Sequence, residues 1–352
     1  MALRAQLEAA IEEVRREYVP DPRLAVFEVA VVEGGGVLTL AGVVSDGGAA
    51  TELHRRVAII AGPLAVRDEL ERLPGTADGD SPYALVTSAV APMLAGPLIS
   101  EAHLSQTLLG HRLIVLRERG RWLHCRSEDG YLGWVHRGYV CRVDPAEAEG
   151  WVLGLSRELC FSLGVRVLAD DGTVIARLPW GARAVRSSSG LAVLPDGRAG
   201  RAVGELIPFA QMPARFPAVG EAVVATALHW TGAPYVWGGT VPSGVDCSGL
   251  VQAVFRTHGL PLPRDSDMQA GAGEALRPAT DLSDLRPGDL LFFAEEGTRI
   301  SHVAISMGGS RIVHSSLGNA GVWMNDLAGD LPYERELRRL FVCARRLMRD
   351  GS

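Results

Sequence analysis

Three residues could together cut an amide bond: Cys247, His302 and His314. Cys247 stands in VPSGVDCSGLVQAVF, after a glycine-rich turn. It heads an apolar pattern, Leu250, Val251, Val254 and Phe255, at helical spacing. A cysteine there is either a small core residue or a nucleophile. A nucleophile must become a thiolate, and an ordinary thiol is mostly protonated at neutral pH. Asp246 falls near the helix cap and Cys247 in the first turn, where unpaired backbone N–H groups favour negative charge. A base is also required. His302 opens one strand-like run and His314 ends the next, twelve residues on. Two antiparallel strands joined by MGGSR would bring the imidazoles together. His302 could then accept the thiol proton while His314 holds the ring and its tautomer.

The elements that must position these groups belong to a chain of 352 residues, long enough for several domains. Hydrophobic residues make up 47% and charged ones 22%, an ordinary globular composition. The net charge of −6 argues against nucleic acid as a partner and for an enzyme. Five cysteines are widely spaced, with no CxxC and no Cys/His cluster at zinc spacing, so a reducing compartment and no metal or cofactor are expected. Cys125, Cys141, Cys160 and Cys343 read as core thiols. The opening MALRAQLEAAIEEVRREYVP is an amphipathic helix rich in Glu and Arg, without the apolar run of a secretory signal. Nor does the chain hold the roughly 18 consecutive apolar residues of a membrane span. A cytoplasmic location is therefore expected, although a sequence trimmed of its signal would read the same.

The expected fold class is α+β and multidomain. Residues 1–77 form a first unit: a helix over about 2–17, two strands around Gly34-Gly35-Gly36, a helix over about 51–61 and another over about 64–72. GTADGDSP, 75–82, reads as a linker. Residues 83–145 are all-β in texture, and 150–207 repeat that texture as a second barrel. PFAQMPARFP is a proline-punctuated connector. From 218 to 350 a helix in EAVVATALHW leads to the Cys247 segment, then to three strand-like runs, LRPGDLLFF, HVAISMG and RIVHSS. The tryptophans of the barrels read as core, whereas Trp237 reads as lining a cleft.

WGG, DCSGLVQ, GDLLFF, SHVAI and IVHSS, in that order, resemble the NlpC/P60 cysteine peptidases, a papain-like family. The resemblance implies a triad of Cys247, His302 and His314. HLSQTLLGHRLIVLRERGRWLHCRSEDGYLGWV resembles a bacterial SH3 domain, and DPRLAVFEVAV, GGVLTLAGVV and AGPLAVRDELERLP together resemble a BON-type α/β domain. Two SH3-like barrels before the peptidase resemble the γ-D-glutamyl-L-diamino acid endopeptidases of the YkfC type, in which the first barrel closes one end of the cleft. The matching positions are Glu101, Tyr131, Tyr235, Trp237, Ser248, Asp265 and Ser266. Glu101 and Asp265 could supply charge, and Tyr131 a hydroxyl, to a substrate ammonium.

The expectation is cleavage of murein tripeptides or tetrapeptides with a free N-terminal L-Ala, in cell-wall peptide recycling. The first unit departs from the simpler three-domain plan, and its partner is left open. Another thiol-dependent amidase or acyltransferase is a rival reading. So is a wall-binding module, which intact Cys247, His302 and His314 argue against.

Overall fold

A computed structural model describes residues 3–75, 81–153 and 158–348. The first unit runs helix Leu3–Tyr18, strands Phe27–Gly34 and Val37–Val44, helix Gly47–Ala61 and strand Ala65–Arg72. Gly35 and Gly36, both at positive φ, turn the first two strands into a hairpin. Leu7, Val14, Leu38, Leu40, Leu53 and Val57 close the core between helices and sheet. Asp46 caps the second helix, accepting from Ala49 N at 2.7 Å. The expected helix over 64–72 is a strand, pairing in parallel with Val37–Val44. Its two buried or half-buried apolar residues, Val66 and Leu70, lie four apart, a spacing that suits one helix face and one strand face alike. Residues 76–80 of the expected linker lie outside the described residues.

Residues 83–143 form a seven-stranded sheet around Ala84, Val86, Met93, Leu113, Val115, Leu123 and Val135. A helix not expected from the sequence, Pro145–Leu153, follows. Five strands between Glu158 and Pro208 make the next sheet, dominated by the long hairpin Glu158–Leu168 and Val174–Arg186. Its core of Val165, Val167, Leu178 and Ala184 also takes in Leu108 and Leu109 of the preceding sheet and Val241 of the last unit. Trp134 and Trp180 are buried as expected, while Trp122 is half-buried. Cys125 and Cys160 are buried, but Cys141 and Cys343 are only half-buried, so core placement holds for two of these four thiols.

The last unit sets helices Gly220–Leu228 and Cys247–Thr257 against a six-stranded antiparallel sheet. Its strands alternate. Leu290, Phe292, Val303, Ile305 and Val313 face the two helices, while Leu291, Phe293, Ala304 and Ile312 face helix Pro332–Leu340. The three expected strands are present at its centre. Three others join them, and the last, Phe341–Arg346, returns to pair beside Pro287–Phe293. Among the described residues, no helix is long and apolar enough to cross a membrane.

Candidate active site

Cys247 is the first residue of its helix. Asp246 caps that helix: its Oδ1 accepts from Gly249 N at 2.7 Å and its Oδ2 from Gly238 N at 2.8 Å. Arg264 holds the same carboxylate, with Nη2 to Oδ2 at 2.5 Å and Nη1 to Oδ1 at 3.1 Å. Its remaining donors reach Ser248 Oγ and, in the first barrel, Ser105 Oγ, both at 2.9 Å. Arg264 and Asp246 are both buried, so the pair is sustained by these added hydrogen bonds rather than by Coulomb attraction alone. Gly249 has no room for a side chain, because a Cβ there would lie 2.1 Å from Gly239 O. The helix thus sits directly on the Gly238-Gly239 turn.

His302 opens strand His302–Gly308, and His314 lies in the antiparallel neighbour Arg311–Ser316. The two rings meet as the sequence predicted, with His302 Nε2 and His314 Nδ1 2.7 Å apart. His314 Nε2 lies 3.0 Å from Asn325 Oδ1, which also accepts from Asn319 Nδ2 at 2.7 Å. Asn319 Nδ2 also lies 3.2 Å from His314 Nε2 but makes its shorter bond to Asn325 Oδ1, and an amide oxygen can only accept, so Asn325 assigns the proton of His314 to Nε2. Nδ1 of His314 then accepts from His302 Nε2–H, which leaves His302 Nδ1 unprotonated. Tyr333 stacks on His314 with ring centroids 6.2 Å apart.

The electrostatics correct one expectation. The sequence placed a thiolate at this helix start. Burial and then the Asp246 carboxylate push the Cys247 thiol up to about 12, against backbone N–H groups of Val303 and Ser248. Burial and then His314 hold His302 well below the usual imidazole range. Burial takes His314 to about 4, against the Asn325 hydrogen bond. Neither a thiolate nor an imidazolium is favoured alone. Passing the thiol proton to an imidazole would create both charges at once, and each would offset the other's desolvation.

Tyr131 and Asp265 meet across the barrel–peptidase boundary: Tyr131 Oη donates to Asp265 Oδ2 at 2.9 Å. Tyr131 is buried, and burial and Asp265 both raise its phenol, which stays protonated. Tyr235 is raised by burial, Cys247 and Asp246, which places a neutral phenol in the field of the sulfur. Trp237 is exposed, beside Gly238, where a side chain would run into the His103 ring. Glu101 is exposed, lies over Gly96, and hydrogen-bonds neither Tyr131 nor Asp265. Ser266 is buried at the start of helix Ser266–Gln269. Ser248 departs from its expected substrate role, since its hydroxyl is enclosed by Asp246 and Arg264. Arg264, Asn319 and Asn325 were missed. A lone Arg beside Pro, an Asn in a turn and an Asn in strand Gly321–Asp326 carry no periodic signal, and their partners are set by tertiary packing.

Residues 93–138 match the model of the bacterial dipeptidyl-peptidase SH3 domain, and residues 232–340 match the NlpC/P60 family. This chain carries an NlpC/P60 cysteine peptidase domain. The NlpC/P60 match encloses Cys247, His302 and His314. Relatives extend beyond it. A gamma-D-glutamyl-L-lysine dipeptidyl-peptidase of Bacillus subtilis is 28% identical, covering 68% of this chain and 80% of that one. Dipeptidyl-peptidase 6 of Lysinibacillus sphaericus is 26% identical, covering 72% and 94%. The crystal structure of an NlpC/P60 family protein from Bacillus cereus shares the fold, with a TM-score of 0.61 at 21% identity over 75% of this chain and 99% of that one. Among the described residues, no group of three or more His, Cys, Asp or Glu could hold a metal ion.

Proposed function

We propose that this NlpC/P60 peptidase cleaves the γ-D-glutamyl to diamino acid bond of short murein peptides whose N-terminal L-Ala amine is free. The observation that carries the reading is the Tyr131–Asp265 hydrogen bond. It joins a phenol of the first barrel to a carboxylate of the peptidase unit, a pair suited to an ammonium, and in this reading the pair closes one end of the cleft. The likeness to a gamma-D-glutamyl-L-lysine dipeptidyl-peptidase and to a dipeptidyl-peptidase 6 supports it.

In this reading, substrate binding excludes water and brings the scissile carbonyl to Cys247. His302 Nδ1 takes the thiol proton as sulfur attacks the γ-carbonyl carbon. His314, held by Asn325, keeps the His302 ring and tautomer fixed. The Tyr235 phenol donates to the developing oxyanion. His302 then returns its proton to the departing amine, and water hydrolyses the thioester by the same base. The amine preference confines the enzyme to peptides already released from glycan, which is the basis for a recycling role.

The test compares L-Ala-γ-D-Glu-diamino acid tripeptide with its N-acetyl form, by mass spectrometry of products at matched concentration. One lost charge-assisted hydrogen bond corresponds to about 1.5–3 kcal/mol, or roughly 10- to 100-fold in kcat/KM. Equal kcat/KM for both peptides would remove the amine preference and leave the cysteine mechanism standing.

A further inference from the structure

The first unit reaches into this same site. Arg23, in the segment between helix Leu3–Tyr18 and strand Phe27–Gly34, donates from Nη1 to Asp265 Oδ2 at 2.8 Å. The oxygen it contacts is the one that accepts from Tyr131 Oη. Arg23 also donates to Asp267, from Nη1 to Oδ1 and from Nη2 to Oδ2, each at 2.8 Å. Its Nε and Nη2 reach Asp21, at 2.9 Å and 2.6 Å. A guanidinium has five N–H donors, and these contacts use every one. Arg23 therefore has nothing left to offer a substrate carboxylate.

Asp265 is in the opposite condition. Both of its contacts fall on Oδ2, and its side chain does not cap the helix that follows it. Among the described residues, Oδ1 accepts no hydrogen bond. One guanidinium faces three carboxylates, so the group keeps an excess of negative charge.

Arg23 is placed by more than its side chain. Its carbonyl oxygen accepts from Leu132 N at 2.8 Å, one residue from Tyr131. Val26 and Leu73 pack against Leu116 and Leu132 of the first barrel. Arg117 grips Glu28 through two hydrogen bonds, at 2.7 and 2.8 Å. The first unit is thus docked on the barrel in a register that delivers Arg23 to Asp265.

We infer that Arg23 is a positioning residue for the amine subsite: with Tyr131 it fixes Oδ2 of Asp265 and turns Oδ1 toward the substrate ammonium. The inference rests on the free-amine reading above. It makes the first unit, through Arg23, part of the substrate site. The full chain with Arg23→Gln should raise KM for the free tripeptide about 10-fold, with kcat changed less than about 2-fold and the slow cleavage of the N-acetyl peptide unaltered. Arg23→Lys, which can reach one carboxylate but not hold three, should fall between. Thermal melting checks that each variant is folded, and Arg23→Lys carries the same reading if Arg23→Gln is not. A rise in kcat/KM for Arg23→Gln would mean that Arg23 competes with the ammonium, and would overturn the inference. Unchanged parameters would overturn it too. A wild-type enzyme that cuts both peptides equally would sink the free-amine reading first; one that discriminates, with Arg23→Gln discriminating by the same factor, would sink only the role of Arg23.

Discussion

At the scale of single residues, the site depends on protons that move only together. Cys247→Ala removes the sulfur and should abolish turnover with the melting temperature preserved, because the Asp246–Arg264 bonds beneath it remain. His302→Ala should cost about 10²–10⁴-fold in kcat, the usual worth of a general base. His314→Ala should cost less, since it removes the group that orients the base. Equal losses would reverse the two roles. The pH profile follows from burial. Imidazolium is disfavoured at both histidines, so the neutral base persists below the ordinary range. The acid limb of kcat/KM should lie well under pH 6.5, falling toward the region near 4 where His314 titrates. An acid limb at or above pH 6.5 would contradict the buried-pair reading.

At the scale of elements, the sequence was most legible where a motif spans a few residues. DCSGLVQ combines a capping Asp with a helical apolar pattern, and both were found where expected. SHVAI and IVHSS, joined by two glycines at positive φ, could only pair as neighbours if both histidines were to meet. AVRDELER was misread, because apolar residues four apart satisfy both periods and its charges favour a helix. Nothing near Arg264 in the sequence points to Asp246, eighteen residues away, or to Ser105 in another unit. The pair nonetheless holds the catalytic helix. Arg264→Met should leave a buried carboxylate unpaired and destabilise by about 3–5 kcal/mol, read as a lowered denaturant midpoint at unchanged slope. Gly249→Ala would drive a Cβ into Gly239 O, forcing the helix to shift. A displacement of about 1 Å at the sulfur can cost about 10²-fold in turnover, with far less effect on melting. Full activity in that variant would show that the turn yields instead of the helix.

For the whole molecule, acid should weaken the fold before it strips the carboxylates. Burial holds His111 at about 3, with Arg183 adding to the effect; burial holds His124 at about 4, with Arg117 adding likewise, and His314 is also near 4. In the unfolded chain each would titrate near 6.5. The unfolded state therefore binds more protons below that value. The stability these neutral rings contribute is complete above about pH 6.5 and is lost as pH falls toward their folded values. Chemical unfolding at pH 7.5 and pH 5 should show the midpoint dropping at the lower pH; a midpoint that rises would contradict it. Contacts at this scale were the least legible in sequence. Arg23 and Asp265 are separated by 242 positions, with the first sheet and both barrels between them in sequence, and no local pattern encodes their meeting.

The bond between Tyr131 and Asp265 also bears on how such an enzyme can be retargeted. The cysteine and both histidines lie in one compact unit, while in the proposed reading part of the choice of substrate is carried by a barrel that lies earlier in the chain. Inheritance can alter the barrel without passing through a dead peptidase. A chimera carrying another barrel in place of residues 83–145, but keeping Ser105 and Gln106, which accept hydrogen bonds from Arg264 and Thr240, should still react with a thiol-directed peptide aldehyde while losing its preference among peptide termini. Loss of both properties together would mean that the barrel and the nucleophile are inherited as one indivisible device.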